Sequence, residues 1–137
     1  MGRIIGIDYG TVKTGLAVTD ENQIIACPLC TVSTTELKQF LFDYLTKESV
    51  ESIVIGQTFQ KDGSSVPHEE KIKELILEIE IKFSQISIYR QEEEFTSVYA
   101  SEIVFHTVKK KNKRRDKSLL DKISATIILQ NFLGHHI

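Results

Sequence analysis

No apolar run in the sequence approaches the ~18–20 residues that a membrane-spanning helix needs, and the opening MGRIIGIDYG lacks the apolar core of a secretory signal. These absences predict a chain with no membrane partner, working in the cytoplasm. Cysteine is scarce: the only two, Cys27 and Cys30, are spaced C-P-L-C. Such a pair can be a redox dithiol or half of a zinc site, but a zinc site needs further ligands and a redox pair usually opens a helix. There is no second pair, and His68, His106, His135 and His136 are not spaced as partner ligands. The pair instead lies in a strand-like stretch, IIACPLCTV, where residues three apart point to opposite faces. We therefore read two packed or half-packed thiols and set aside a thioredoxin-like function.

Internal repeats, low-complexity tracts and linkers are also missing, so residues 1–137 read as one domain. A chain of that size can bury roughly two-thirds of its unfolded surface. A large excess of one charge is absent too, and the net charge of −2 gives no reason to expect a nucleic-acid partner. The average conceals one local block, KKKNKRRDK at 109–117, with no apolar residue in it. It fits a solvated loop. It also fits a grip on phosphates, through Lys109, Lys110, Lys111, Lys113, Arg114, Arg115 and Lys117, because each neutralised phosphate releases counterions.

The elements follow from periodicity. Residues 3–9 (RIIGIDY) predict a buried strand, Gly10-Thr11 a turn, and 13–19 and 23–32 two further strands, joined so closely that the three must form an antiparallel meander. A helix over about 35–48, capped by Ser33, Thr34 or Thr35, carries Leu37, Phe40, Leu41, Tyr44 and Leu45 at helical spacing. SIVIG at 52–56 is an apolar strand of the kind covered on both faces. A polar loop precedes a helix at about 67–83, a strand at 86–90, a helix at about 97–108, the basic block, and a last helix at about 118–133. A meander followed by alternating helices and strands predicts an α/β fold with a mixed five-stranded sheet flanked by helices. That order matches the RNase H-like architecture.

Fold does not assign chemistry, so the carboxylates decide. Asp8 ends the first strand on the same face as Ile4 and Gly6, beneath helices; equally, it could organise the turn after it. Glu92-Glu93-Glu94 ends the fifth strand, and three adjacent acids repel one another unless a cation or solvent screens them. Asp121 sits in the first turn of the last helix, aligned with Ala125, Ile128 and Phe132 on its apolar stripe. Ser118-Leu119-Leu120-Asp121 also fits a capping box, which does not require that alignment. Acids from two strand ends and one helix start would form an all-oxygen site suited to Mg²⁺ or Mn²⁺. Two such ions ~4 Å apart can drive phosphodiester hydrolysis.

Several spaced motifs together resemble the YqgF family, also called RuvX, the pre-16S rRNA nucleases. I-D-Y-G-T-V-K-T-G-L-A-V-T-D at 7–20 looks like its opening strand pair, and Ile55-Gly56 with Asp62-Gly63-Ser64 resembles its central strand and loop. Glu92-Glu93-Glu94-Phe95-Thr96-Ser97 lines up with its D-E-R-[LF]-[ST]-[ST] segment. Arg114-Arg115-Asp116-Lys117 and the stretch from Asp121 to Leu133 resemble its C-terminal signature. The resemblance implies a nuclease that hydrolyses RNA at the 5′ end of the small-subunit rRNA precursor, while relatives of the same fold resolve four-way DNA junctions. It carries the family's acids onto Asp8, Glu93 and Asp121; Lys13 and the basic block are then the candidate phosphate contacts, although Lys13 alone also reads as a plain surface lysine. Strand alternation groups Glu92 with Ile86 and Ile88, so Glu92 and Glu93 both stay open as metal ligands.

Three departures stand out. Glu92 replaces an aspartate, Glu94 replaces an arginine, and Gly56-Gln57-Thr58 lacks the family's proline. Exchanging arginine for glutamate removes a phosphate-holding cation beside the site, which leaves room for a nucleic-acid-binding protein with impaired catalysis. Asp8-x-Gly10-Thr11 also resembles the phosphate loop of sugar kinases and actin, but those proteins need a second such domain. Monomer and homodimer are both compatible with the sequence.

Overall fold

A computed structural model describes residues 2–57, 66–92 and 117–134, with the side chains of 117–121 outside that description. Strands β1 (Arg3–Asp8), β2 (Lys13–Thr19) and β3 (Ala26–Ser33) lead into helix α1 (Leu37–Lys47), strand β4 (Val50–Gln57), helix α2 (Glu69–Lys82), strand β5 (Ser87–Glu92) and helix α3 (Lys117–Phe132). The five strands form one sheet in the order β3-β2-β1-β4-β5. β1 pairs antiparallel with β2 and β2 with β3, whereas β1–β4 and β4–β5 are parallel. This is the mixed sheet that the sequence predicts. The helix expected at 97–108 and the basic segment up to residue 116 lie outside the described residues.

Alternation along the strands splits the core in two. On one face Ile5, Ile7, Leu16, Ile53 and Ile55 pack against Leu37, Leu41 and Leu45 of α1 and Ile72, Leu75 and Ile79 of α2. On the other, Ile4, Ala17 and Val54 meet Ala125, Ile128 and Leu129 of α3, with Phe132 partly buried beside them. Each fully buried Ile or Leu contributes about 1.5–3 kcal/mol, so both layers anchor the sheet. Ser124 through Leu129 are all buried, so α3 is covered on more than its sheet-facing stripe. Gly6 lets it come that close: a Cβ there would lie 3.0 Å from both the Ala125 carbonyl oxygen and Leu129 Cβ.

Three local features depart from expectation. The third strand begins at Ala26, later than residue 23, because Asp20 Oδ1 accepts the Ile24 and Ile25 amides at 2.8 and 2.9 Å and holds a turn that includes Gln23 at φ 60°. The first helix opens through a 3-10 turn, Thr34–Glu36, in which Ser33 makes no capping bond. Instead Ser33 Oγ meets Thr35 Oγ1 at 3.1 Å, and Thr34 is engaged with the β1–β2 turn. Finally, the β2–β3 register shifts between Leu16 and Ala17, so that Cys30 stands opposite Leu16 and Cys27 opposite Val18. Residues two apart on β2 share a face. The bulge therefore puts both thiols on one face, against the sequence expectation of opposite faces. Cys27 is exposed and Cys30 half-buried, the latter thiol pushed up by burial against an opposing pull from Lys122. Such a thiol is a poor nucleophile.

Candidate active site at the carboxyl edge of the sheet

The parallel strands β1, β4 and β5 all end at one edge of the sheet, with Asp8, Gln57 and Glu92 as their last residues. Asp8 is half-buried and continues the face of Ile4 and Gly6, the face covered by α3. Its mount is rigid. The Gly10 amide donates to Thr14 Oγ1 at 3.4 Å, Thr14 and Thr34 hydroxyls meet at 2.9 Å, and Thr34 Oγ1 donates to the Gly10 carbonyl at 2.7 Å. With Thr34 spending its proton on Gly10, Thr14 must donate to Thr34, which closes a ring of three hydrogen bonds. Only glycine fits at position 10, since a Cβ would sit 2.1 Å from the Lys13 carbonyl oxygen.

Lys13 opens β2 at the same edge, exposed. It lies two residues before Gly15, the partner of Asp8, and four before Ala17 of the α3-facing cluster. Alternation therefore places Lys13 on the face that Asp8 shares.

The other acids divide. Glu92 is exposed and pairs with Gln57, in the register that sets Arg90 opposite Ile55 and Ile88 opposite Ile53. Ile53, Ile55 and Ile88 belong to the α1/α2 layer, so Glu92 falls on the face away from Asp8. Glu93 and Glu94 lie outside the described residues, as do Lys109, Lys110, Lys111, Lys113, Arg114 and Arg115. Lys117 begins α3, and position 121 comes one turn ahead of Ala125. The Gly6–Ala125 contact thus has Asp8 two residues beyond it on the strand and position 121 four residues before it on the helix. Among the described residues no three His, Cys, Asp or Glu side chains gather closely enough to hold a metal ion. Asp8 is the one member of the expected triad whose side chain is described, and its carboxylate is the hard donor that Mg²⁺ or Mn²⁺ prefers.

Beneath the edge is an ion pair that the sequence reading missed. Arg90 spans both carboxylate oxygens of Glu69, at 2.5 and 2.9 Å, and donates to the carbonyls of Ile55 at 3.3 Å and Gly56 at 3.0 Å. The Glu69 side chain is 3% exposed, and its hydrogen bond from Arg90 holds the carboxyl below the usual range despite burial. The pair ties the end of β4 to the start of α2. Its signal was available: a charged residue two positions after Ile88, on an apolar face, requires a partner.

Comparison with known proteins agrees with this architecture. A Thermus thermophilus RuvC in complex with a Holliday junction substrate is similar in fold, with TM-score 0.57 and 14% identity over 98% of both chains. A second Thermus thermophilus RuvC structure gives 0.58 over 97% of both. The fold is thus RNase H-like, as the element order predicts. The chain is 46% identical over 133 residues, 97% of its length and 98% of the relative's, to a Christiangramia forsetii protein named "Putative pre-16S rRNA nuclease". A Flavobacterium psychrophilum protein of the same name is 41% identical over the full length of both. The family model described as "RuvX: Holliday junction resolvase" matches residues 2–135. The chain belongs to the RuvX family.

Proposed function

We propose that this chain is a metal-dependent endonuclease, one domain over its whole length, that hydrolyses phosphodiester bonds in the 5′-end maturation of pre-16S rRNA in the cytoplasm. The observation that carries the reading is the half-buried Asp8 at the edge where β1, β4 and β5 end, two residues before the turn that the Gly10–Thr14–Thr34 ring closes. The names borne by full-length relatives at 41–46% identity supply the substrate class.

In this reading Asp8, Glu93 and Asp121 hold Mg²⁺ or Mn²⁺. We assign Glu93 ahead of Glu92 because the β5 register turns Glu92 to the opposite face. Bound there, a pair of ions supplies Lewis acidity and a water activated near neutral pH. The chain's own contribution is preorganisation. The backbone that carries Asp8 runs into a turn already tied by the Gly10–Thr14–Thr34 ring, which limits how far it has to rearrange on binding. Lys13, on the same face, holds a phosphate of the substrate strand, and the 109–117 cations attract the backbone. Glu94, where the resemblance expects arginine, places negative charge beside the site and slows the reaction.

Asp8→Asn and Asp121→Asn each abolish cleavage while leaving the circular dichroism spectrum and melting curve intact; full activity in both ends the proposal. A second reading, cleavage of four-way DNA junctions, is favoured by the family model's description, and the same assay with a junction substrate separates the two.

A further inference from the structure

The residue after Asp8 faces the opposite side of the sheet. Tyr9 packs against the α1/α2 core layer, and its ring lies 5.5 Å from that of His68, centroid to centroid, with 31° between the planes. His68 stands at the N-cap position of α2 but makes no capping bond with its side chain. Beside the rings is a groove of about 420 Å³ whose lining adds Thr11, Thr34, Thr35 and Lys71. That volume is within the roughly 300–1,000 Å³ of small-molecule sites. A smaller hollow shares Tyr9 and Lys71 and continues to Glu74 and Glu78.

We propose that this groove takes an unpaired nucleobase of the substrate strand, the one adjoining the cleaved phosphate, stacked on the Tyr9–His68 ring pair. The assignment rests on the nuclease reading above and specifies how a single strand would cross the active edge. Asp8 ends β1 and Tyr9, the next residue, lines the groove, so a strand that crosses this edge with a phosphate at Asp8 can lay its neighbouring nucleoside over the groove. Aromatic faces with a cation and hydroxyls beside them are the usual platform for single-stranded nucleic acid, because every base has a π-face. The charges set the orientation. Lys71 and the hydroxyls of Thr11 and Thr35 suit ribose and phosphate at the near end. At the far end Glu78 is paired with Lys38 at 2.7 Å, while Glu74 adds a carboxylate. With Glu78 matched by Lys38, Glu74 is the carboxylate at that end able to accept hydrogen bonds from the amino groups of a base.

The test uses the full chain carrying Asp8→Asn, which binds without cutting, and a short fluorescent single-stranded RNA followed by anisotropy. Tyr9→Leu and His68→Ala should each weaken binding by about 5- to 100-fold, the range for losing one stacked base, and Tyr9→Phe, which keeps the ring, should restore it. A thermodynamic cycle removes any merely structural contribution. An abasic nucleotide placed at each position in turn should cost the Tyr9-containing protein a similar factor at one position, and cost the Tyr9→Leu protein nothing further there. Unchanged affinity in both ring variants, or an abasic penalty that persists in full in Tyr9→Leu, overturns the groove assignment. Cleavage by the unsubstituted chain, run alongside, tells the two failures apart. Normal cleavage with unaffected ring variants sinks only the groove, whereas no binding and no cleavage sinks the nuclease reading together with it.

Discussion

Substituting Gly6 with alanine tests how closely the fold and the site depend on one contact. The added Cβ would lie 3.0 Å from the Ala125 carbonyl oxygen and from Leu129 Cβ. That is tighter than ordinary Cβ contacts, so the neighbouring atoms have to give by a few tenths of an ångström. One of the opposing atoms is backbone, so no side-chain rotation relieves the clash and α3 must move as a body. That movement loosens Ala125, Ile128 and Leu129, all completely buried. Overpacking of this kind costs about 1–3 kcal/mol. In urea titration the midpoint should fall with the slope unchanged. The same movement shifts position 121 relative to Asp8, and because a misplacement of ~1 Å at a reacting site can cost on the order of 100-fold in rate, the smaller shift here should cost a lesser but measurable factor. Cleavage by Gly6→Ala should therefore fall by more than the unfolded fraction accounts for. A Gly6→Ala protein within ~0.5 kcal/mol of the parent and fully active would refute the reasoning.

Arg90→Met leaves the Glu69 carboxylate buried without its cation, and should destabilise the chain by roughly 3–5 kcal/mol, measured by urea titration. The Glu69 carboxyl is depressed in the folded state, first by its hydrogen bond from Arg90. Its stabilisation is therefore complete above the unfolded carboxyl pKa of about 4.3 and is lost as pH falls through the lower folded value. Glu69→Gln should lack that part of the acid-side decline, and an identical pH–stability profile would contradict the assignment. Neutralising Lys111, Lys113, Arg114 and Arg115 together should weaken substrate binding and flatten its salt dependence, by up to about 0.7 per lost contact on a single strand. An unchanged slope would make the segment a loop only.

The mixed sheet, three antiparallel strands followed by alternating helices and strands, was legible because its signals are local. The close turn after Asp8 forces an antiparallel partner, and the apolar run SIVIG demands helices on both faces. Asp8's face was legible for the same reason, since alternation with Ile4 and Gly6 is a property of the strand alone. The Cys27/Cys30 geometry was not, because a single extra residue opposite Leu16–Ala17 reverses the alternation and nothing in C-P-L-C marks the bulge. The layer that Glu92 faces could not be read until its pairing with Gln57 and that of Ile88 with Ile53 fixed it, and Glu93 lies outside the described residues. The Gly10–Thr14–Thr34 ring joins residues up to 24 apart, and the Arg90–Glu69 pair joins residues 21 apart. Such contacts depend on tertiary placement, which no periodicity encodes.

The central claim is best tested by one assay. Labelled single-stranded RNA and a four-way DNA junction are incubated with the chain in Mn²⁺ or in EDTA, beside Asp8→Asn. Metal-dependent cleavage of the RNA that disappears in Asp8→Asn is the predicted result. Cleavage of the junction alone would move the function to junction resolution, and binding without cleavage of either would contradict the enzyme and leave a nucleic-acid-binding protein on a nuclease fold.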